Sequence, residues 1–213
     1  MKDIKNFQMK SKRRDYISWS QLTCWEKDPN KYYERYVLGL DEYISKNMEA
    51  GKRIAEMLEN GKPKNQIERD ILYKLENDYE YPIKENREKE IWANLDGIKL
   101  YGIADGLDLE NKKLFEVKTG IKWSQAQADK LGQIDFYNLM LWLVYKIKPQ
   151  DIQNKLIWIK TYNDIDEYNQ RKVIMTTEVK SFMVKKTMAD IIKMTGRIKK
   201  ADKGIKDMFR TLD

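Results

Sequence analysis

Histidine is absent from this 213-residue chain, and cysteine occurs once, as Cys24. Without histidine there is no imidazole zinc site, no Ser-His-Asp or Cys-His relay and no imidazole general base. A single thiol cannot close a disulfide within the chain or hold a cluster by cysteines alone. Long apolar runs are also missing. None approaches the roughly 18 residues that a membrane helix needs. The stretch from Met1 to Arg14 is polar and basic with no apolar centre, so it reads neither as a signal peptide nor as a membrane span. These absences predict a cytoplasmic protein with no membrane partner. Internal repeats and low-complexity segments are lacking too. Any chemistry must therefore use carboxylates, lysine, tyrosine or a metal held by oxygen atoms, for which Mg²⁺ or Mn²⁺ is suited.

Hydrophobic residues make up 41% of the chain and aromatics 11%, enough to build a core. Charged residues reach 35%, with 41 Lys and Arg against 34 Asp and Glu, a formal charge of +7. Such an excess favours polyanions, nucleic acid among them. A solvated lysine-rich surface would give the same count.

Residues 1–15 read as a basic flexible lead-in, and 16–213 as one α/β domain. Ser18 or Ser20 can cap a first helix, and Asp28-Pro29 can start a second that ends near Gly39. Helical spacing follows over 46–60 and 65–79. After Pro82 the pattern changes to strands over 88–95 and 99–107, separated by Asp96-Gly97, a strong hairpin signal. A third strand covers 114–119, and one long helix is predicted over 124–146. Lys155 to Thr161 forms a fourth strand, 171–176 and 179–184 two short edge strands, and 187–209 a basic terminal helix capped by Thr187. This order predicts a mixed central β-sheet flanked by helices.

Asp105 lies on the second strand, in Gly102-Ile103-Ala104-Asp105-Gly106. Glu116 and Lys118 lie on the third, one residue apart and so on one face. Antiparallel pairing through a short turn can bring all three together. Two carboxylates can hold a divalent cation, which clamps a phosphate oxygen and acidifies a water. A lysine beside them can orient that water or stabilise charge on the phosphate, and the Val117 carbonyl can add an oxygen ligand. An exposed strand of alternating charge would carry the same triplet. On the predicted helix, Gln133 and Tyr137 are four apart and share a face, with Lys130 one turn earlier. They can hold a nucleic-acid backbone or the Lys118 side chain, or simply line an exposed helix edge.

Together, Asp105, Glu116-Val117-Lys118 and Gln133-x-x-x-Tyr137 resemble the PD-(D/E)XK nuclease superfamily, in particular its RecB-like and Cas4-like branch with many phage exonucleases. Ser18-Trp19-Ser20-Gln21-Leu22 and Asp28-Pro29-Asn30-Lys31-Tyr32 are similar to that branch's opening helix, and Lys118-Thr119-Gly120 to its core. The likeness covers about residues 16–162. It implies a restriction-endonuclease-like core with a helical N-terminal segment and a long C-terminal helix. It also implies metal ligands at Asp105 and Glu116, a catalytic Lys118, and a helix motif of Gln133 and Tyr137. Family members often carry a further histidine ligand on an early helix. Ala55 stands there, and the adjacent Glu56 is the expected substitute, with Glu49 and Glu59 as rivals. Asp28 occupies the place of a cluster cysteine, so no iron–sulfur cluster is expected and Cys24 should pack as a small apolar residue.

The terminal helix interleaves Lys193, Arg197, Lys199, Lys200, Lys203 and Lys206 with Ile191, Ile192, Met194, Ile198 and Ile205, a face for phosphates or for solvent. Trp123 is a candidate for stacking on bases, whereas Trp158, inside a strand, reads as core. The expected function is a Mg²⁺- or Mn²⁺-dependent deoxyribonuclease, an exonuclease of recombination, repair or phage DNA processing. Its partners would be DNA and proteins of such a complex. The alternative is a nuclease-like module that binds nucleic acid or a protein without cutting. A third class, an enzyme for small phosphates, lacks a glycine-rich phosphate loop to support it.

Overall fold

The computed structural model describes residues 14–40, 45–165 and 167–210. Most of the basic lead-in lies outside them. Local signals account for most element boundaries. In α1 (Trp19–Lys27) Ser18 and Gln21 form a reciprocal capping box, and in α2 (Pro29–Tyr36) Asp28 caps two backbone amides. Ser45 caps α3 (Lys46–Asn60), which ends at a left-handed Gly61, and Asn65 caps α4 (Gln66–Asp78). Asp96 and Gly97 both take positive φ, 50° and 89°, joining β1 (Arg87–Leu95) to β2 (Ile98–Asp108) as a tight hairpin.

The remaining elements are β3 (Lys113–Gly120), α5 (Gln125–Asp129), α6 (Gly132–Tyr145), β4 (Gln153–Ile165), β5 (Arg171–Val184) and α7 (Met188–Arg210). The five strands form one mixed sheet in the order β1-β2-β3-β4-β5. Only the β3–β4 pair is parallel, joined by the crossover through α5 and α6. Helices α1, α2, α6 and α7 bury their apolar residues against one face, and α3 and α4 against the other. Strand β3 serves both cores: Leu114 packs on the first side, Phe115 and Val117 on the second. The architecture is the mixed, helix-flanked sheet predicted above.

Two predicted elements differ. The long helix over 124–146 is broken, because Leu131 is extended (φ −70°, ψ 100°) and α6 starts at Gly132. Gly132 sits close under Trp19, where a Cβ would lie 2.7 Å from the ring, so α6 meets α1 at its first residue. Lys130 is therefore not on the same helical line as Gln133 and Tyr137. The two short edge strands are one continuous β5, with a register shift opposite Ile159 and Thr161 absorbing the irregularity. Trp158 is core, as expected, and donates to the Gly120 carbonyl. Cys24 is partly buried and packs against the first core. Thr187 directly precedes α7, where its amide and hydroxyl both donate to Asp190.

Helix α3 is held by a buried ion pair. Glu68 is 1% exposed and accepts from Arg53 Nε at 2.9 Å, Arg53 Nη2 at 2.5 Å and the Lys64 amide at 2.6 Å. Removing the arginine strands a buried carboxylate, which costs about 3–5 kcal/mol. Arg53→Met should lower the melting temperature by at least ~6 °C, at ~2–4 °C per kcal/mol. A melting curve unchanged by this substitution would contradict the role given to the pair.

Candidate active site

The β2–β3 ladder is short. It pairs Asp108 with Lys113, Leu107 with Leu114 and Gly106 with Phe115, and then stops. Beyond that point the Val117 amide has no β2 carbonyl to meet, and the Asp105 carboxylate takes its place: Oδ2 accepts from the Val117 amide at 2.6 Å. On the other side of Asp105, the Tyr81 hydroxyl donates to its carbonyl at 2.5 Å. The two strands thus part around Asp105, and a cleft of about 290 Å³ opens there.

Glu116 and Lys118 point together, as strand alternation requires. Glu116 is 1% exposed and its Oε1 lies 2.5 Å from Lys118 Nζ. Beyond this ion pair, neither Glu116 oxygen has a hydrogen-bond partner among the described residues. Lys118 Nζ also donates to Gln133 Oε1 at 3.0 Å, Gln133 Nε2 to the Tyr137 hydroxyl at 3.3 Å, and Tyr137 to the Ile103 carbonyl. The relay runs from the buried carboxylate on β3 to the backbone of β2 through one lysine and two residues of α6. Its last member depends on Gly102, where a Cβ would lie 2.7 Å from the Tyr137 ring.

Of the residues named from sequence, Asp105, Glu116, Val117, Lys118 and Gln133 line the cleft, and Tyr137 stands behind Gln133. Glu56 is not brought there. Ala55 lines the cleft, while Glu56 turns toward Arg53, 3.8 Å away, and is 45% exposed. A step of one residue along a helix is a rotation of about 100°. Glu49 pairs with Lys46 at the surface. On α7, Arg197, Lys199 and Lys206 are ion-paired to Glu26, Asp96 and Asp202 of this chain. Trp123 is partly buried and lies against Gly120.

Two residues of the site carry no sequence signal of their own. Tyr81, buried against Phe115, fixes the Asp105 backbone. Glu88, in the charged run Arg87-Glu88-Lys89-Glu90, turns into the cleft at a positive φ of 46°.

The electrostatics follow from burial. Burial and the charge of Asp105 push the Glu116 carboxyl up to about 8, against the pull of Lys118. Burial raises Asp105 as well, although Lys118 and the Val117 amide oppose it. Burial and the charges of Asp105 and Glu59 push Glu88 up to about 7. Burial alone would lower Lys118, but Glu116 and Asp105 outweigh it and its pKa rises, so the ammonium is kept. Burial, then nearby carboxylates, raise Tyr81 and Tyr137, which stay neutral donors. The cleft holds more negative than positive charge in a chain of formal charge +7.

A hard divalent cation fits this donor set: buried carboxylate oxygens, three of them without a hydrogen-bond partner among the described residues, in a site short of positive charge. Among the described residues no three acidic or thiol side chains close on one point. That suits Mg²⁺ or Mn²⁺, which use one or two carboxylates and fill other positions with water or a substrate's phosphate oxygens.

No family model matches the sequence, and no curated protein matches it. Solved structures do match the fold. A protein from Eubacterium rectale, described as a candidate exonuclease, superposes with a TM-score of 0.57 and 11% identity, over 92% of this chain and 80% of its own. A phage-related exonuclease from Haemophilus somnus gives a TM-score of 0.54 and 12% identity, over 91% and 83%.

Metal-free stability should carry the mark of the buried carboxyl. Between its ordinary value of 4.5 and about 8, folded Glu116 keeps a proton that the unfolded chain has lost, so stability falls as pH rises through that window. Asp105 and Glu88 shift in the same direction. Thermal unfolding in EDTA from pH 5 to pH 8 should show this decline, and Glu116→Gln should make it shallower. Equal slopes for parent and variant would rule out burial of Glu116 as its source.

Proposed function

We infer that the cleft hydrolyses phosphodiester bonds of DNA with a bound Mg²⁺ or Mn²⁺, and that the chain is a PD-(D/E)XK nuclease of the RecB-like or phage-exonuclease branch. One observation carries the reading: at the point where β2 and β3 part, Asp105 and buried Glu116 meet a lysine that Gln133 and Tyr137 hold in place. A fold shared with proteins described as exonucleases supports it.

Asp105, Glu116 and the Val117 carbonyl would hold the cation. When bound, it supplies positive charge to a phosphate oxygen and lowers the pKa of a water. Lys118 stays protonated at neutral pH, so it acts as a donor and not as a base. Its ammonium is ion-paired with Glu116 and donates to Gln133, which leaves N–H capacity for the attacking water or for a phosphate oxygen on which charge develops. Gln133 and Tyr137 are positioning residues, because both act through Lys118.

One observation favours the second reading, a module that binds DNA without cutting: the α3 wall contributes Ala55 and no ligand. End-labelled DNA separates the two. With Mg²⁺ or Mn²⁺, linear DNA should lose label progressively while a covalently closed circle stays intact. Asp105→Ala and Lys118→Ala should each lower the rate by at least ~10²-fold, the scale of removing one charge-stabilising group. Cleavage untouched by either substitution would overturn the assignment, and binding without cleavage by the parent protein would support the module.

A further inference from the structure

Glu88 lines the cleft but has been given no role there, yet the fold goes to some length to place it. It stands between the register pairs Arg87–Gly106 and Lys89–Ala104, directly opposite Asp105. Its φ of 46° is left-handed, a conformation that strains any side chain and that glycine would take without strain. Strain of this kind persists only where the surroundings enforce it. Here the enforcing neighbour is Arg87. Its buried guanidinium donates to the Pro82 carbonyl at 2.8 Å and to the Leu58 carbonyl at 3.4 Å, and meets Glu76 at 2.5 Å. With Arg87 clamped to the α3–α4 side and Lys89 back in register, the one residue between them turns into the cleft.

What it meets there is unfavourable without a further ligand. Glu88 lines the same cleft as Asp105, Glu116 and Lys118. Its Oε1 is buried with no hydrogen-bond partner among the described residues. The charges that act on it most, Asp105 and Glu59, are of its own sign. Nor is it alone in lacking a partner: Glu116, at 1% exposure, presents an unpaired Oε2 to the same space. Against three carboxylates the cleft sets two ammonium groups, Lys52 and Lys118, so negative charge stays in excess, as a cation site requires.

We propose that Glu88 is an outer ligand of the cation site, binding the coordinated waters of an ion held by Asp105 and Glu116. The water-mediated form is part of the proposal, because among the described residues no three acidic side chains close on one ion. The inference rests on the cation site proposed above and extends it to a third carboxylate.

The test is Mn²⁺ binding to the full chain, without DNA, followed by the electron paramagnetic resonance signal of free Mn²⁺. Glu88→Gln should weaken Mn²⁺ affinity by ~10–100-fold, as loss of an outer partner does in other metal sites. Asp105→Asn should weaken it further. Glu88→Gly removes the carboxylate and the left-handed strain together. It should lose the same affinity while melting in EDTA no lower than the parent protein. An affinity within twofold of the parent in both Glu88 variants, with Asp105→Asn defective, would overturn the role of Glu88 and leave the site standing. Equal Mn²⁺ binding by the parent and Asp105→Asn would overturn both. A lower melting temperature in EDTA with unchanged Mn²⁺ affinity would make Glu88 a structural residue and overturn the proposal.

Discussion

Two neighbouring strands normally satisfy each other's backbone groups along their whole length, and β2 and β3 do so for only three residue pairs. An unpaired buried amide is costly, so the fork between them can exist only because a side chain replaces the missing carbonyl. Asp105 supplies it, accepting from the Val117 amide at 2.6 Å. That contact keeps the strands apart and fixes one carboxylate at the opening. It also sets Glu116 and Lys118, which flank Val117, at a constant distance from it. The same interaction that closes the backbone account of the sheet thereby builds the cleft.

Around the fork, the two faces of the sheet have different tasks. On one side α6 brings Gln133 and Tyr137 to Lys118, and glycine at 102 lets the tyrosine ring approach β2. On the other, Tyr81 and Arg87 secure the backbone on either side of the carboxylates from the α3–α4 layer. The cleft lies where these two layers meet, which explains why charged groups are buried there at all. Burial is the cost, with repulsion from Asp105 added at Glu116 and Glu88: all three carboxyls hold protons more tightly than usual. A cation would relieve all three at once.

Much of this was legible in the sequence, where local chemistry decides the outcome. Ser18, Asp28 and Asp96-Gly97 mark caps and a turn by their own hydrogen bonds and backbone preferences, and the structure follows them. Glu116 and Lys118 share a face because strand alternation has no other solution. What could not be read depends on distant contacts. The need for glycine at 132, where α6 begins, is set by Trp19, more than a hundred residues earlier. The inward turn of Glu88 is imposed by the clamp on Arg87, and in sequence it looks like one charge in a solvated run. Glu56 and Ala55 differ by a single step on α3, and only the packing of that helix decides which one reaches the cleft.

The proposed chemistry requires a divalent cation at the fork between β2 and β3. Crystals soaked in millimolar Mn²⁺, with data collected at the manganese edge, test it most directly. An anomalous peak is expected between the Asp105 and Glu116 carboxylates, at about 2.0–2.6 Å from an oxygen of each. Anomalous density elsewhere on the molecule, with none between those two side chains, would contradict it.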